Sequence, residues 1–261
     1  MFGGNTYWWA AIPVFILFIA LNVVIYLLRD KPTVSYRIAY AIACFLFVYK
    51  LGEYVYWQAV GEHIKIPVEF SAVSYFLFSI FTLFRIKKFD CLGTFCGFLA
   101  GMCYSVAFWA SPDSFVRNGQ EESWFLFAMA IFNHHALYFG SMLMIANVCR
   151  FDPKKFYFML IGVGVMLGYT WLVYLFTPYA DLYGKMIFIR ICDGSILNYL
   201  FPSLSLRPWM VVLYLVVVII LFFALLVCFY VLNNYLAKKR KMRTGYDLDI
   251  PEKIIPKKKA S

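Results

Sequence analysis

Charge is scarce in this sequence. Asp, Glu, Lys and Arg make up 15% of 261 residues, against about 25% in an ordinary soluble domain, and His occurs three times. Hydrophobic residues reach 63%, which excludes a water-facing globular domain, because too few ionic side chains remain to coat one. Internal repeats and low-complexity tracts are also missing, and no polar stretch suggests a second, soluble domain. The first apolar segment lacks a basic leader and a small-residue cleavage site, so it reads as a retained helix rather than a signal peptide. What is abundant is aromatic: 28 Phe and 20 Tyr.

Apolar runs of about 20 residues, the length that crosses a hydrocarbon core of roughly 30 Å, recur along the chain. Seven are predicted: Trp8–Leu28, Ile38–Val60, Ile66–Ile86, Cys91–Ala110, Ser123–Cys149, Phe156–Phe176 and Trp209–Leu232. The expected fold is an all-α membrane protein, a seven-helix transmembrane bundle over residues 1–234 with a basic cytoplasmic tail over 235–261. Basic residues orient it. One side collects Arg29, Lys31, Arg37, Arg85, Lys87, Lys88, Arg150, Lys154 and Lys155, then Lys238, Lys239, Arg240, Lys241, Arg243, Lys253 and Lys257 to Lys259. The other has Lys65, Arg117, Lys185, Arg190 and Arg207. The N-terminus is therefore expected outside and the C-terminus in the cytoplasm. The net charge of +10 is mainly this topology signal, and no nucleic-acid partner is needed to explain it. The tail run "AKKRKMR" serves as a stop-transfer anchor or a grip on anionic headgroups. The final "KKKAS" resembles a di-lysine retrieval signal. The expected location is the cytoplasmic membrane in a bacterium, or the endoplasmic reticulum or a similar endomembrane in a eukaryote.

Seven cysteines make no framework. Cys44, Cys96, Cys103 and Cys228 fall within spans, Cys91 and Cys149 at their ends, and Cys192 alone in an outer loop. No spacing matches a zinc or iron–sulfur site, so no metal or cofactor is expected. The fourth span carries Gly93, Gly97 and Gly101, and the sixth Gly164 and Gly168; residues four apart stack on one face, so each set predicts a strip for close helix packing. The outer loop 177–208 is long and partly apolar, which fits either a re-entrant segment capping the bundle or an interfacial helix.

Ionisable groups inside spans are costly and are candidates for function. Lys50 and Glu53, three residues apart in the second span, are expected to neutralise each other. Glu69 and Ser71 open the third span. In "IFNHHALYFG", His134 lies 11 residues past Ser123, about 16 Å deep at 1.5 Å per residue, so both His134 and His135 sit near mid-membrane. Consecutive helical residues point about 100° apart, so the two histidines have different roles. Tyr138 is four past one and three past the other and can bond either. Tyr169 and Thr170 lie in the outer half of the sixth span. Lys50, Glu53, His134, Tyr138, Tyr169 and Thr170 are expected to line one outward polar cavity. A neutral imidazole is a competent general base, able to activate a hydroxyl or thiol such as Ser71 or Cys103.

The run from Tyr49 to Tyr230 resembles the YwaF-like family of integral membrane proteins, related to a eukaryotic transmembrane acyltransferase that remodels ether phospholipids. The resemblance rests on "YKLGEY" in the second span, "IPVEFSAVSYFLF" in the third, "FNHHALYFGSMLMI" in the fifth, "GYTWLVYLF" in the sixth and "LRPWMVVLYL" in the seventh. The family's third span opens with a P-x-H-x-C type motif; here Pro67 is kept, but Glu69 and Ser71 replace the histidine and cysteine. Its fifth-span histidine matches His135, and its Asn-Tyr pair reads Thr170-Trp171.

The resemblance implies a lipid-facing seven-helix bundle, without the thiol that would carry an acyl group; the first reading is a protein acting on membrane phospholipids by acyl transfer. His135 would be the base, Ser71 or Cys103 the nucleophile and Glu69 an orienting carboxylate, with His134 structural. Two other classes compete: a non-catalytic lipid-binding or scaffolding subunit with a membrane-protein partner, and a small-solute transporter. A retinal protein is a poor match because Trp209–Leu232 has no lysine, and so is a G-protein-coupled receptor, whose orientation fits but whose usual acidic-Arg-aromatic triplet is missing from the third span's "FRIKKF" ending.

Overall fold

The computed structural model describes residues 8–61, 66–86, 89–110, 124–176 and 207–239, with Pro112, Arg190 and Gly194. The expectations for the loop 177–208 (up to 206), for Cys192 and for the tail beyond Lys239 lie outside the described residues. Seven long helices follow in order: α1 Trp8–Leu27, α2 Pro32–Ala59, α3 Phe70–Leu83, α4 Asp90–Ala110, α5 Trp124–Leu143, α6 Tyr157–Phe176 and α7 Pro208–Lys239. No strand occurs among the described residues.

Local chemistry explains the boundaries. Proline opens α2 and α7, where its fixed φ suits the first turn and its missing N–H costs nothing. That starts α2 six residues before the expected Ile38. Pro67 keeps the lead-in to α3 extended, so α3 is a short helix of 14 residues instead of the expected span from Ile66. The turn out of α3 places Arg85 in the left-handed region at φ 51°. Asp90 stands in the first turn of α4, and Lys238 and Lys239 in the last turn of α7, each matching the helix dipole. α5 ends in a π-helical turn, Met144–Val148.

α2, α3, α4 and α5 form the centre, with α1 against α4 and α5, α6 against α4, and α7 against the π turn. Their shared core includes Ala39, Ala43 and Leu46 of α2, Phe78 of α3, Leu92 and Phe95 of α4 and Leu137 of α5. The α4 glycines permit this. A Cβ on Gly93 would meet the Leu77 carbonyl oxygen at 2.8 Å, and one on Gly101 would meet Tyr138 Cβ at 2.6 Å and the His134 carbonyl oxygen at 2.7 Å. One on Gly97 would collide with Ser141 Oγ. The sixth-span expectation fails: Gly164 and Gly168 face open space, and Gly162 instead packs on Leu92.

Two asparagines latch the peripheral helices. Asn233 of α7 donates to the carbonyls of Ile145 and Cys149, both at 2.8 Å, and accepts from the Phe151 N–H at 2.9 Å. Asn147, in the π turn, donates to the Ile25 carbonyl at 3.0 Å and to Ser35 Oγ at 3.1 Å. The outer faces are apolar: Val212, Val216, Ile219, Ile220 and Phe223 of α7 are all exposed. Such a surface is stable only in a nonpolar solvent. Five helices, α1, α2, α4, α6 and α7, are long and apolar enough to cross a membrane. α3 is shorter, and α5 carries Asn133, His134 and His135 at its middle.

Candidate functional site

A polar cavity of about 320 Å³ lies between α2, α3 and α5. α2 contributes Tyr49, Lys50, Glu53, Tyr54 and Trp57, a spacing that puts all five on one helix face. The lead-in and first turns of α3 add Glu69, Ser71 and Tyr75, and α5 adds Ala130, Asn133 and His134 along one stripe.

The Lys50 ammonium donates to Glu53 Oε2 at 2.6 Å, and the two side chains are only 14% and 26% exposed. The same ammonium lies 4.9 Å from the Tyr75 ring centre and 5.6 Å from that of Tyr49, so aromatic faces share its charge. The expected neutralisation of Lys50 by Glu53 is therefore present. Glu69 sits exposed at the rim, at the N-cap of α3 without a side-chain capping bond, and has no ion-pair partner among the described residues. Tyr75 and Asn133, which line the cavity, are 2% and 1% exposed, and the Tyr75 hydroxyl and Asn133 Oδ1 have no hydrogen-bond partner among the described residues. Orphaned buried groups of this kind cost roughly 1–3 kcal/mol each unless something binds them.

The histidines take different faces of α5, about 100° apart. His134 lines the cavity. Its Nδ1 lies 2.8 Å from the Ala130 carbonyl, which can only accept, so Nδ1 carries the proton and Nε2 is left as an acceptor. Its ring stacks on Tyr104 of α4 at 3.8 Å and 12° and meets Tyr75 edge-on at 5.4 Å. His135 points away from the cavity and is 2% exposed. Its Nδ1–H donates to the Ile131 carbonyl at 2.8 Å, and Nε2 lies 3.4 Å from Ser105 Oγ on α4. The Tyr104 ring stands edge-on to it at 6.4 Å.

Several expected groupings are thus not formed. Ser71 and Glu69 share the cavity with His134, not with His135; the 100° step between neighbours decides this. Cys103 is exposed on the outside of α4. Tyr138 bonds neither histidine but donates to Asn22 Oδ1 of α1 at 2.9 Å, and Asn22 in turn donates to the Phe18 carbonyl at 2.8 Å. Thr170 is spent on its own helix, donating to the carbonyls of Met166 at 3.1 Å and Leu167 at 3.0 Å. Tyr169 packs against the main apolar core and does not line the cavity. The polar and aromatic lining residues missed in the sequence are Tyr49, Tyr54, Trp57, Tyr75 and Asn133. The signal for the first three was there: Tyr49, Glu53 and Trp57 recur every fourth residue, with Lys50 and Tyr54 one step behind.

No family model matches this chain, nor does any curated protein or any solved structure.

Proposed function

We propose that the chain is a seven-span membrane protein that binds a phospholipid in the α2–α3–α5 cavity and acts on it by acyl transfer. The observation that carries this reading is a cavity that holds a lysine, two carboxylates and a histidine inside an otherwise apolar bundle. Polar groups of this density inside an apolar bundle need a polar ligand to bind. A phospholipid supplies one while its chains stay in the hydrocarbon. Lys50 faces the phosphate, and Tyr75 donates to a headgroup or ester oxygen. α3 reaches across as a helix of about 21 Å extended by the non-helical segment 66–69. The resemblance to YwaF-like proteins supports the same substrate class and an acyl-transfer reaction.

The experiment is lipid binding by the purified full-length protein. Native mass spectrometry in mild detergent is expected to show a retained phospholipid that Lys50→Ala displaces. Tyr75→Phe should leave the melting temperature of lipid-free protein unchanged or raised, because an orphan hydroxyl is removed, yet reduce the stabilisation that added phospholipid provides. Equal lipid stabilisation of the variant and the wild type would sink the cavity as the binding site. Deletion of the gene should shift cellular acyl composition.

A second reading, a non-catalytic lipid-binding subunit of a larger assembly, is favoured by one observation: neither Cys103 nor His135 reaches the cavity. It predicts lipid retention with no change in acyl composition on deletion.

A further inference from the structure

The described wall of the polar cavity holds more acceptors than donors, and that imbalance says what its ligand carries. We propose that the α2–α3–α5 cavity selects a zwitterionic phospholipid by its ammonium end, which Glu69, Tyr54 and Trp57 hold while Lys50 takes the phosphate. The proposal rests on the phospholipid reading above and supplies its headgroup.

The charges in the wall are unequal. Among the described lining residues Lys50 is the one cation, and Glu53 already accepts from it at 2.6 Å. Glu69 is a second carboxylate, exposed and with no ion-pair partner among the described residues. His134 adds no donor to offset it, because its Nδ1–H is committed to the Ala130 carbonyl at 2.8 Å and its Nε2 can only accept. The two carboxylates also converge. Tyr54 of α2 and Tyr75 of α3 each lie within electrostatic reach of both Glu53 and Glu69.

A headgroup with a phosphate alone meets this arrangement badly. It offers an oxygen to Lys50 but nothing to Glu69, and it stands close to Glu53 with the same sign of charge. A zwitterion answers both: its ammonium offsets the carboxylates while its phosphate takes the Lys50 donors that Glu53 leaves unused. The spacing fits. Tyr54 and Trp57 lie four and seven residues past Lys50 in the lining, about 6 and 10 Å further along α2 at 1.5 Å per residue. A phosphate at Lys50 therefore leaves an ammonium, joined to it by an ethyl bridge, level with Tyr54 and Trp57.

The protein already treats one ammonium this way. Lys50 is held by the Glu53 carboxylate and by the Tyr75 ring, whose centre is 4.9 Å away. Glu69 with Tyr54 and Trp57 repeats that pairing of a carboxylate with aromatic rings, without a cation of its own among the described residues. Aromatic rings attract ammonium groups, methylated ones included.

The test is thermal stabilisation of the full-length protein, delipidated in mild detergent, by dioleoyl phosphatidylethanolamine, phosphatidylcholine and phosphatidylglycerol added separately. The chains are identical, so differences report the headgroup. The two amine lipids are expected to bind about tenfold more tightly than phosphatidylglycerol, the scale of one charge-assisted contact. Phosphatidylethanolamine in the lead assigns a primary amine and phosphatidylcholine a quaternary one; either order supports the proposal. Glu69 is exposed and makes no side-chain capping bond, so Glu69→Gln removes no internal contact of that kind. That variant should lose the preference, with the amine lipids weakened about tenfold and phosphatidylglycerol unchanged or tighter. Equal affinity for all three lipids, a lead for phosphatidylglycerol, or a preference that survives Glu69→Gln overturns the proposal. Should the variant fail to fold, the ranking on the unaltered chain decides. The two readings fail distinguishably: binding of all three lipids without an amine preference sinks the headgroup assignment alone, whereas binding of none sinks the phospholipid reading and this one with it.

Discussion

Lys50 and Glu53 set the electrostatic character of the cavity, and their worth is measurable. The pair is largely removed from water, so deleting one partner strands the other as an uncompensated charge. Glu53→Gln or Lys50→Met alone should therefore destabilise the protein more than the double substitution does, with a coupling of about 1–2 kcal/mol. A double-mutant cycle of thermal stability in detergent reads this, and strictly additive effects would show that the pair is not coupled. The two histidines make the same point about position. Neighbours in sequence, they differ because α5 turns His134 toward lysine and carboxylates and His135 toward a serine. Tyr104 marks the divide, stacked on one ring and edge-on to the other.

Helix contacts here depend on small residues and amide latches, as expected where apolar burial gives little preference between helix and lipid. Gly101→Ala places a methyl within 2.6 Å of Tyr138 Cβ and 2.7 Å of backbone, so α4 and α5 must separate. The expected loss is about 1–3 kcal/mol, read as a drop in melting temperature. Gly164→Ala meets nothing within 4 Å and should be neutral or stabilising by up to about 1 kcal/mol through helix propensity. Equal responses would contradict the packing described. Asn233 is the harsher case. All three of its polar contacts go to the backbone around the π turn, so Asn233→Leu leaves two carbonyls and an N–H unpaired. A loss of about 2–4 kcal/mol is expected, visible as easier proteolytic release of α7 from the bundle.

For the molecule as a whole, the prediction concerns topology. If the basic residues orient the bundle, a fluorescent protein fused after Lys239 glows in the cytoplasm, and an alkaline phosphatase fused after Gly61 is active outside. The reverse pattern would invert the bundle and place the mouth of the α2–α3–α5 cavity on the cytoplasmic side. The cavity lining includes Trp57, Ile66 and Glu69, in the chain either side of Gly61, so this measurement also says on which side those residues lie. Stability and access thus meet in α3, whose brevity leaves room at its N-terminal end for Glu69 and Ser71 to reach the wall.

Composition and the length of apolar runs were enough to establish an all-helical protein with membrane-length segments, because burial in lipid demands both and each is a local property. The Lys50–Glu53 bond was legible for the same reason, since a separation of three on a helix leaves few alternatives. The glycine strip of α4 was legible as a pattern, but the similar one on α6 was not distinguishable from it, because only a facing helix turns a small residue into a contact. The site needed the tertiary structure throughout. Which histidine faces the charged groups depends on how α5 is rotated, and Tyr138 chose Asn22 because α1 packs there. Ser105 sits 30 positions from His135 in sequence and 3.4 Å away in space. No spacing rule connects them; the close approach of α4 to α5 at Gly97 and Gly101 does.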